Sequence, residues 1–443
     1  MTRKSLSFLA SSPILQIALP GIAGNLAVPL LGWADTAIVG HLGATHYIAA
    51  IAVGSLLFNL LYWLCGFLRT GTGGLTAQAC GARRPDECLR TLLRALALSG
   101  GLSLLILLFQ QPLCEAILTQ VAPAAAVRAE AVRYFDILVW GAPAVLALYA
   151  LSGWFLGMQN SRHVMIIALV QNAVNIPVSL VLVFGCGMQV TGVALGTLTA
   201  QYAALVVAGG LLWGKYRHLL RREYVRGWRQ RTAIVRLLSI NADIFLRTLC
   251  LIAVTYWFTA CGTRLGTVTL SANALLMQFF LLFSYVMDGF AFAGEALGGR
   301  YRGAGDLQAL RRMVRALFAW GTATAVLFAL TYAIGGRGLL RLLTDDVAVL
   351  REAARYLPYL MVMPLVAYAA FLWDGLFIGL TATRAMLLTM LPATAVFLYA
   401  TAPCSPFPAT GATLWTAFLA YLLLRGAGLT LCYRRKLRSA PSR

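Results

Sequence analysis

Long apolar segments recur along this chain, and short polar stretches separate them. Each segment reaches the roughly 20 residues that a helix needs to cross a hydrocarbon core. The pattern therefore predicts an all-α integral membrane protein with about twelve transmembrane helices. The predicted spans are Pro13–Gly40, Tyr47–Thr76, Leu89–Gln111, Phe135–Gly157, Val164–Phe184, Gly192–Trp213, Leu237–Ala260, Leu270–Leu297, Val314–Ile334, Leu357–Gly379, Ala385–Ala402 and Gly411–Tyr433.

The second half of the chain repeats the first. Gly81-Ala82 recurs as Gly303-Ala304, and Arg162 recurs as Arg384, so an offset of 222 residues (303 − 81 and 384 − 162) serves both matches. Six spans per half return the chain to its starting side, which predicts parallel repeats about an axis along the membrane normal. We predict a six-helix lobe over 1–213, a basic linker over 214–236 and a second six-helix lobe over 237–443, with function between the lobes.

The charge of the chain fits a membrane protein better than a protein that binds nucleic acid. The formal net charge is +21, but 60% of residues are hydrophobic and the mean hydropathy is +0.78. Because the basic residues concentrate in alternate loops, they predict a plasma-membrane protein with both termini cytoplasmic. The basic linker is either a solvated topogenic segment or a contact for anionic lipids. Its arginines are Arg217, Arg221, Arg222, Arg226, Arg229 and Arg231.

Several classes of function lack their motifs here. The nine cysteines and four histidines show no metal-ligand or redox spacing. No phosphate-binding loop or nucleophile elbow is present, so we expect neither an enzyme nor a bound cofactor or metal. The charged start at Arg3-Lys4 resembles a signal peptide, but its apolar stretch continues through Pro20 into a full span, and we expect no cleavage.

Asp35 is the leading candidate for function. It lies in the outer part of the first span, where an ionisable group is costly and usually faces a bundle interior or a watery cavity. A carboxylate in such surroundings can take up a proton. Pro20 and Pro29 weaken the same helix and could make it a hinge that responds to protonation, although static kinks are an equally good interpretation.

Polar groups of the fifth and sixth spans could complete a site around Asp35. Asn175 and Ser179 are four residues apart and share a helix face, and Thr197 lies on the next span. We expect these residues to form a polar pocket with Asp35. The alternative is that they only join helices through hydrogen bonds.

The second half carries its own charged residues. Asp243 and Arg247 are four residues apart on the seventh span, and we expect them to form a structural ion pair. Asp288 and Glu295 share a face of the eighth span and could face a cavity with Asp374 of the tenth.

Two arginines complete the set. Arg69 should neutralise an acid on the inner side, whose identity the sequence leaves open. Arg425 should snorkel from the last span to the interface and carry little functional weight.

These residues resemble the multidrug and toxic compound extrusion (MATE) family, with most similarity to its DinF-like branch. The resemblance covers nearly the whole chain. It is carried by several short motifs, among them Leu19-Pro20 with Asp35, Gly81-Ala82, Asn160-Ser161-Arg162, Asn241-Ala242-Asp243 with Arg247, Ala272-Asn273-Ala274, and the run from Asp288 to Glu295.

The resemblance implies two six-helix lobes in a V around a central cavity, and export of organic, often cationic, compounds against inward proton or sodium flow. It places a first-lobe cation site on Asp35, Asn175, Ser179 and Thr197. The family's usual second carboxylate is Ser179 here. Since a sodium ion needs several oxygen ligands and a proton needs one carboxylate, this departure favours proton coupling.

Three functions remain open from the sequence. The first is a drug antiporter, acting as a monomer on small organic molecules in the bilayer. The second is a flippase for lipid-linked saccharides, which should place cations in its cavity to hold a pyrophosphate. The third is a channel or a membrane enzyme. We favour the antiporter because the basic residues lie mainly in inner loops.

Overall fold

The computed structural model describes residues 13–40 and 45–438, and all regular elements within these ranges are helical. The predicted start at Arg3-Lys4 lies outside the described residues. The helices are α1 Pro13–Gly40, α2 Thr45–Cys65, α3 Phe67–Gly81, α4 Pro85–Leu108, α5 Gln110–Val121, α6 Ala125–Leu138, α7 Ala142–Gly157, α8 Ser161–Leu180, α9 Gln189–Tyr216, α10 Arg231–Arg264, α11 Thr267–Gly303, α12 Leu307–Leu343, α13 Val347–Gly379, α14 Thr383–Thr401 and α15 Gly411–Arg438.

The membrane spans follow the prediction. Within the described residues, eleven helical segments are long and apolar enough to cross a bilayer, and α1 adds an apolar stretch over Pro13–Ala27. Most helices extend beyond their predicted apolar centres. For example, α12 spans Leu307–Leu343 although its apolar centre was predicted at Val314–Ile334, because polar residues continue a helix into the interface at no cost in backbone hydrogen bonds.

The helix boundaries confirm the internal repeat. Helix α9 begins at Gln189 and α15 begins at Gly411, and α7 ends at Gly157 and α13 ends at Gly379, so these boundaries differ by 222 residues (411 − 189 and 379 − 157). The tight turns repeat as well. Gln159 and Thr381 are 222 residues apart and both have positive φ, at 62° and 49°. The duplication is therefore retained in backbone geometry where the side chains have diverged.

Glycines set the same close helix approach in each half. A Cβ on Gly153 would meet the backbone oxygen of Arg69, and a Cβ on Gly375 would meet that of Ala291. These two pairs correspond across the repeat (375 − 153 and 291 − 69 are both 222). Small residues let the backbones of membrane helices come into contact, so the packing of α3 on α7 and of α11 on α13 has one cause.

The halves differ in where their long helices are interrupted. In the first half, three spans are broken at Gly66, Phe109 and 139–141, whereas α11, α12 and α13 are continuous. Two of the breaks precede a proline, Pro112 and Pro143. A proline lacks the amide hydrogen and clashes with the carbonyl four residues earlier, which explains both breaks.

The chain divides into two compact units. One is Leu19–Asn241, and the other combines 13–18 with the described residues from Ala242 onward. In the first unit, stacked aromatic side chains fill part of the core. Phe58 stacks on Phe135 with ring centroids 5.2 Å apart.

The basic linker is anchored to α4 of the first unit. Arg94, only 6% exposed, donates from Nε to the carbonyl of Trp228 at 2.7 Å, and Arg90 donates to the carbonyl of Tyr224 at 3.2 Å. Glu87 forms ion pairs with both arginines. All six arginines listed above for the linker remain exposed. The linker therefore has a defined path along the end of α4.

Candidate functional site

The structure joins Asp35 by hydrogen bonds to two of the three residues predicted to surround it, Thr197 and Asn175. Thr197 on α9 donates a hydrogen bond from Oγ1 to Asp35 Oδ2 on α1 at 3.4 Å. Asn175 on α8 donates from Nδ2 to the same Thr197 oxygen at 2.9 Å. Ser179 lies one turn beyond Asn175 and, like it, is fully buried. We call Asp35, Asn175, Ser179 and Thr197 the N-terminal polar cluster.

The cluster holds oxygen atoms with unused acceptor capacity. Asp35 is 7% exposed, and its Oδ1 has no hydrogen-bond partner among the residues that the structure describes. The same holds, within those residues, for Asn175 Oδ1 and Ser179 Oγ. Buried polar atoms are normally paired, and these three oxygens keep their capacity to accept. A carboxylate with nearby amide and hydroxyl oxygens can hold a proton or a hard cation.

Gly196 is a residue of this site that the sequence analysis missed. A Cβ at Gly196 would meet Ser179 Oγ, and it would also lie 2.9 Å from the backbone nitrogen of Ser179. Gly192, one turn earlier, faces the backbone of Leu182 at 3.1 Å. The spacing of these two glycines is the small-xxx-small pattern that allows close helix contact, and it was the signal available in the sequence.

Helix α1 runs unbroken from Pro13 to Gly40 and contains both predicted hinge residues, Pro20 and Pro29. Asn172 on α8 donates from Nδ2 to the carbonyl of Ala27 at 3.0 Å, between the two prolines. The backbone of α1 is therefore tied to α8 near the polar cluster, and the hinge role of the prolines stays a prediction.

The second half contains an ion cluster that the sequence analysis assigned wrongly. Arg247 does not pair with Asp243. It forms an ion pair with Asp374 on α13, and Arg425 on α15 binds the same Asp374 Oδ2 at 2.7 Å. We call Arg247, Asp374 and Arg425 the C-terminal ion cluster. The one-turn spacing of Asp243 and Arg247 permits a pair, but the packing of α13 and α15 against α10 brings Asp374 into contact with Arg247 instead.

Arg425 also differs from its prediction. It is 5% exposed and its guanidinium lies over the Tyr421 ring, 5.2 Å from the centroid. An arginine that snorkelled to the interface would be exposed, so that prediction is wrong. Arg94 is a second buried arginine.

Asp243 has partners on α14. Thr383 donates from Oγ1 to Asp243 Oδ2 at 2.9 Å, and Arg384 lies 3.6 Å from Asp243 Oδ1. Thr383 and Arg384 begin α14. Asp243 therefore connects α10 to the start of α14.

The remaining predicted residues are placed but their roles stay predictions. Glu295 on α11 is 1% exposed, and Asp288 on the same helix is half-buried. Arg69 on α3 is half-buried.

Comparison with known proteins shows which protein family the chain matches. A family model described as MatE matches residues 20–181 and 244–404, once in each half. The chain is similar to the DNA damage-inducible protein F of Escherichia coli, with 38% identity over 440 residues that cover 98% of this chain and 95% of that protein. It is also similar to a probable multidrug resistance protein NorM of Xanthomonas axonopodis, with 29% identity over 75% of this chain and 73% of that protein.

Solved structures show the same fold. A MATE transporter of Vibrio cholerae superposes with a TM-score of 0.83 at 19% identity, over 99% of each chain. An outward-facing multidrug resistance transporter of the MATE family superposes with a TM-score of 0.81 at 16% identity, again over 99% of each chain. These matches bear on architecture, because side chains have diverged strongly at such identities.

Proposed function

The chain belongs to the MatE family, and from this membership we propose that it is a multidrug efflux transporter that exchanges organic compounds for protons. Relatives are named multidrug resistance proteins. The observation that carries the proposal is Asp35, a buried carboxylate on an apolar helix that accepts a hydrogen bond from Thr197. An ionisable group inside a membrane helix marks an ion pathway in many transporters.

The N-terminal polar cluster supports a proton as the coupling ion. It contains one carboxylate, Asp35, and its other members are neutral. Protonation turns Asp35 from an acceptor into a donor and removes its attraction for the Thr197 hydroxyl proton. This change at one atom can alter how α1 packs on α8 and α9.

Sodium coupling is the second candidate, and one observation favours it. Asp35 Oδ1, Asn175 Oδ1 and Ser179 Oγ are acceptors without partners among the described residues. Three such oxygens could bind a hard cation, although one negative charge neutralises it less well than two would. A sodium ion requires several of these oxygens, whereas a proton requires one carboxylate. Removing a single oxygen can therefore distinguish sodium coupling from proton coupling.

We propose an alternating-access cycle. Substrate enters from the cytoplasm, and outward opening exposes Asp35 to the proton supply. Protonation of Asp35 favours substrate release, and return of the site to the inner side releases the proton. Moving one charge through 100 mV supplies about 2.3 kcal/mol, which sustains roughly a fiftyfold substrate gradient before any pH difference adds to it.

The setting of this cycle is the plasma membrane. The many apolar helices make the chain a multi-pass membrane protein. We propose that both termini are cytoplasmic, since the basic linker and its neighbouring loops carry most of the positive charge. We also propose that the transporter works as a monomer without a cofactor.

The decisive experiment is ethidium efflux from proteoliposomes with proton and sodium gradients imposed separately. Proton-driven efflux should be present in the wild type and lost in Asp35→Asn. Glu115→Gln is the matched control, because Glu115 is an exposed acid paired with Arg128. Efflux driven only by sodium would refute proton coupling, and gradient-independent movement would refute antiport.

Ser179→Ala then separates the two ions. The substitution removes one hydroxyl oxygen and keeps the size of the side chain nearly constant. A proton carried by Asp35 does not need this oxygen, so proton-driven efflux should stay within about twofold of the wild type. A large loss in Ser179→Ala would instead support a cation bound by several oxygens.

A further inference from the structure

The basic linker is held to the first unit through its backbone. Three carbonyls of one turn, those of Tyr224, Gly227 and Trp228, accept hydrogen bonds from two arginines of α4. Arg90 donates from Nε to Tyr224 at 3.2 Å. Arg94 donates from Nε to Trp228 at 2.7 Å and from Nη2 to Gly227 at 3.4 Å. The path of this turn is therefore set before any partner binds.

The anchor on α4 carries no net charge. Glu87 forms ion pairs with Arg90 at 3.1 Å and with Arg94 at 3.0 Å, and Asp86 pairs with Arg90 at 2.8 Å. Two arginines and two acids give a sum of zero (2 − 2). These acids are therefore occupied by α4 itself, and they do not balance the charge of the linker.

The linker has a large positive charge. Residues 214–236 contain eight Lys and Arg and one acid, Glu223, which gives a net charge of +7 (8 − 1). Glu223 lies 3.5 Å from Arg221. Arg222, Arg226 and Arg229 are exposed and pair with no acid within residues 13–40 and 45–438. Like charges this close in the chain repel one another, and an anionic partner relieves that repulsion.

Apolar side chains are exposed beside these arginines. Trp213 near the end of α9 is 65% exposed, and Leu220 and Val225 of the linker are 36% and 37% exposed. A tryptophan at the end of a membrane span is typical of the membrane interface. Basic and apolar side chains exposed on one segment fit the head-group region, where the charges bind phosphates and the apolar groups enter the acyl boundary. A nucleic acid would use the charges and gain little from the aliphatic side chains.

We propose that the basic linker is a preformed docking surface for anionic phospholipids, whose phosphates are bound by Arg222, Arg226 and Arg229. Clusters of Lys and Arg directly after a membrane span are typical of segments that bind anionic lipid head groups. Because Arg90 and Arg94 hold the turn, lipid binding does not have to order the backbone, and less affinity is lost to conformational entropy. The lipids bind whichever compound is transported and whichever ion is coupled.

The test compares two lipids that differ in head-group charge. The full-length protein in nonionic detergent is titrated with anionic dioleoylphosphatidylglycerol or zwitterionic dioleoylphosphatidylcholine, and native mass spectrometry measures the Kd of the first bound lipid. Each basic residue near an anionic surface contributes about fivefold in affinity. The triple variant Arg222→Gln, Arg226→Gln, Arg229→Gln should therefore weaken phosphatidylglycerol binding by about tenfold or more. It should change phosphatidylcholine binding by less than about twofold, because that head group has no net charge.

The matched control removes the same charge elsewhere. Arg311, Arg312 and Arg315 near the start of α12 are exposed and pair with no acid in the part of the chain that the structure describes. They lie on the linker's side of the membrane, since α10 and α11 each cross it once. The triple variant Arg311→Gln, Arg312→Gln, Arg315→Gln should keep phosphatidylglycerol affinity within about twofold of the wild type. Equal losses in the two triple variants would mean that net charge attracts the lipid, and would overturn the proposal.

Arg94→Ala tests whether the surface is preformed. Arg94 is 6% exposed, so it acts on the lipid only through the turn that it holds. Its removal should weaken phosphatidylglycerol binding by about threefold or more, because the linker must then be ordered on binding. Arg133→Ala is the control, since it removes an exposed arginine paired with Glu130 in the same unit, and it should leave lipid binding unchanged.

Three further outcomes would overturn the docking surface. Wild-type phosphatidylglycerol affinity in the linker triple variant would place the lipid elsewhere on the protein. Wild-type affinity in Arg94→Ala would show that the linker binds lipid as a flexible chain. Displacement of the lipid by a DNA duplex, in the wild type but not in the linker triple variant, would identify nucleic acid as the partner.

Discussion

Trp257 donates a hydrogen bond from Nε1 to Thr401 Oγ1 at 2.9 Å, and these residues occupy the repeat positions of Asp35 and Ser179 (257 − 35 and 401 − 179 are both 222). The positions of Asn175 and Thr197 are taken by Phe397 and Leu419. The second half has therefore kept the helices of the N-terminal polar cluster and replaced its carboxylate by an indole. The side chains of the proposed coupling site are therefore present in the first half, and other residue types occupy the corresponding positions of the second.

This asymmetry predicts that Trp257→Phe leaves coupling unchanged. The substitution removes one partly buried hydrogen bond, which should lower the stability by about 1 kcal/mol. Thermal unfolding in detergent measures the stability, and proton-driven ethidium efflux measures the coupling. Tyr256→Phe is the control, because Tyr256 lies on the same helix and is 73% exposed. If Trp257→Phe lost proton-driven efflux as Asp35→Asn is expected to, the second half would have to take part in coupling.

Gly196→Ala should disable the N-terminal polar cluster. The added Cβ would overlap Ser179 Oγ and approach the Ser179 backbone. Since backbone cannot rotate away, α8 and α9 must separate, and Thr197 should move out of reach of Asp35. We expect a destabilisation of about 1–3 kcal/mol together with loss of gradient-driven efflux.

The same helix offers the control for that variant. A Cβ on Gly210 would meet nothing within 4 Å, so Gly210→Ala should keep efflux and should stabilise α9 by about 0.5–1 kcal/mol. Wild-type coupling in Gly196→Ala would show that the close approach of α8 and α9 is not needed for function.

Arg94→Ala should release the basic linker from α4. It removes the hydrogen bond to the Trp228 carbonyl and the ion pair with Glu87. The free energy of opening the linker locally then falls below the free energy of global unfolding. Trypsin should therefore cut the arginine-rich linker several times faster. Limited proteolysis of the purified protein in detergent measures this rate.

Arg133→Ala is the control for the linker, because Arg133 forms an exposed ion pair with Glu130 elsewhere in the same unit. Its cleavage rate should match the wild type. Cleavage of Arg94→Ala at the wild-type rate would show that Arg90 and the remaining contacts are enough to hold the linker.

The sequence by itself determined the membrane class, the spans and the repeat. Apolar length fixes a transmembrane helix because the bilayer leaves no other way to satisfy its backbone. The sequence also singled out Asp35, since a carboxylate is costly at that depth. Its polar neighbours Asn175 and Thr197 could be found from helical spacing and the family resemblance together.

Only the tertiary structure decided which charged residues meet. Spacing places Asp243 and Arg247 on one face of α10, but the packing of α13 and α15 gives Arg247 to Asp374 and brings Arg425 with it. The role of Gly196 likewise depends on the close approach of α8 to α9. The sequence of α9 alone does not show which helix contacts this glycine. A sequence specifies the face on which a side chain lies, and its partner depends on which other helix covers that face.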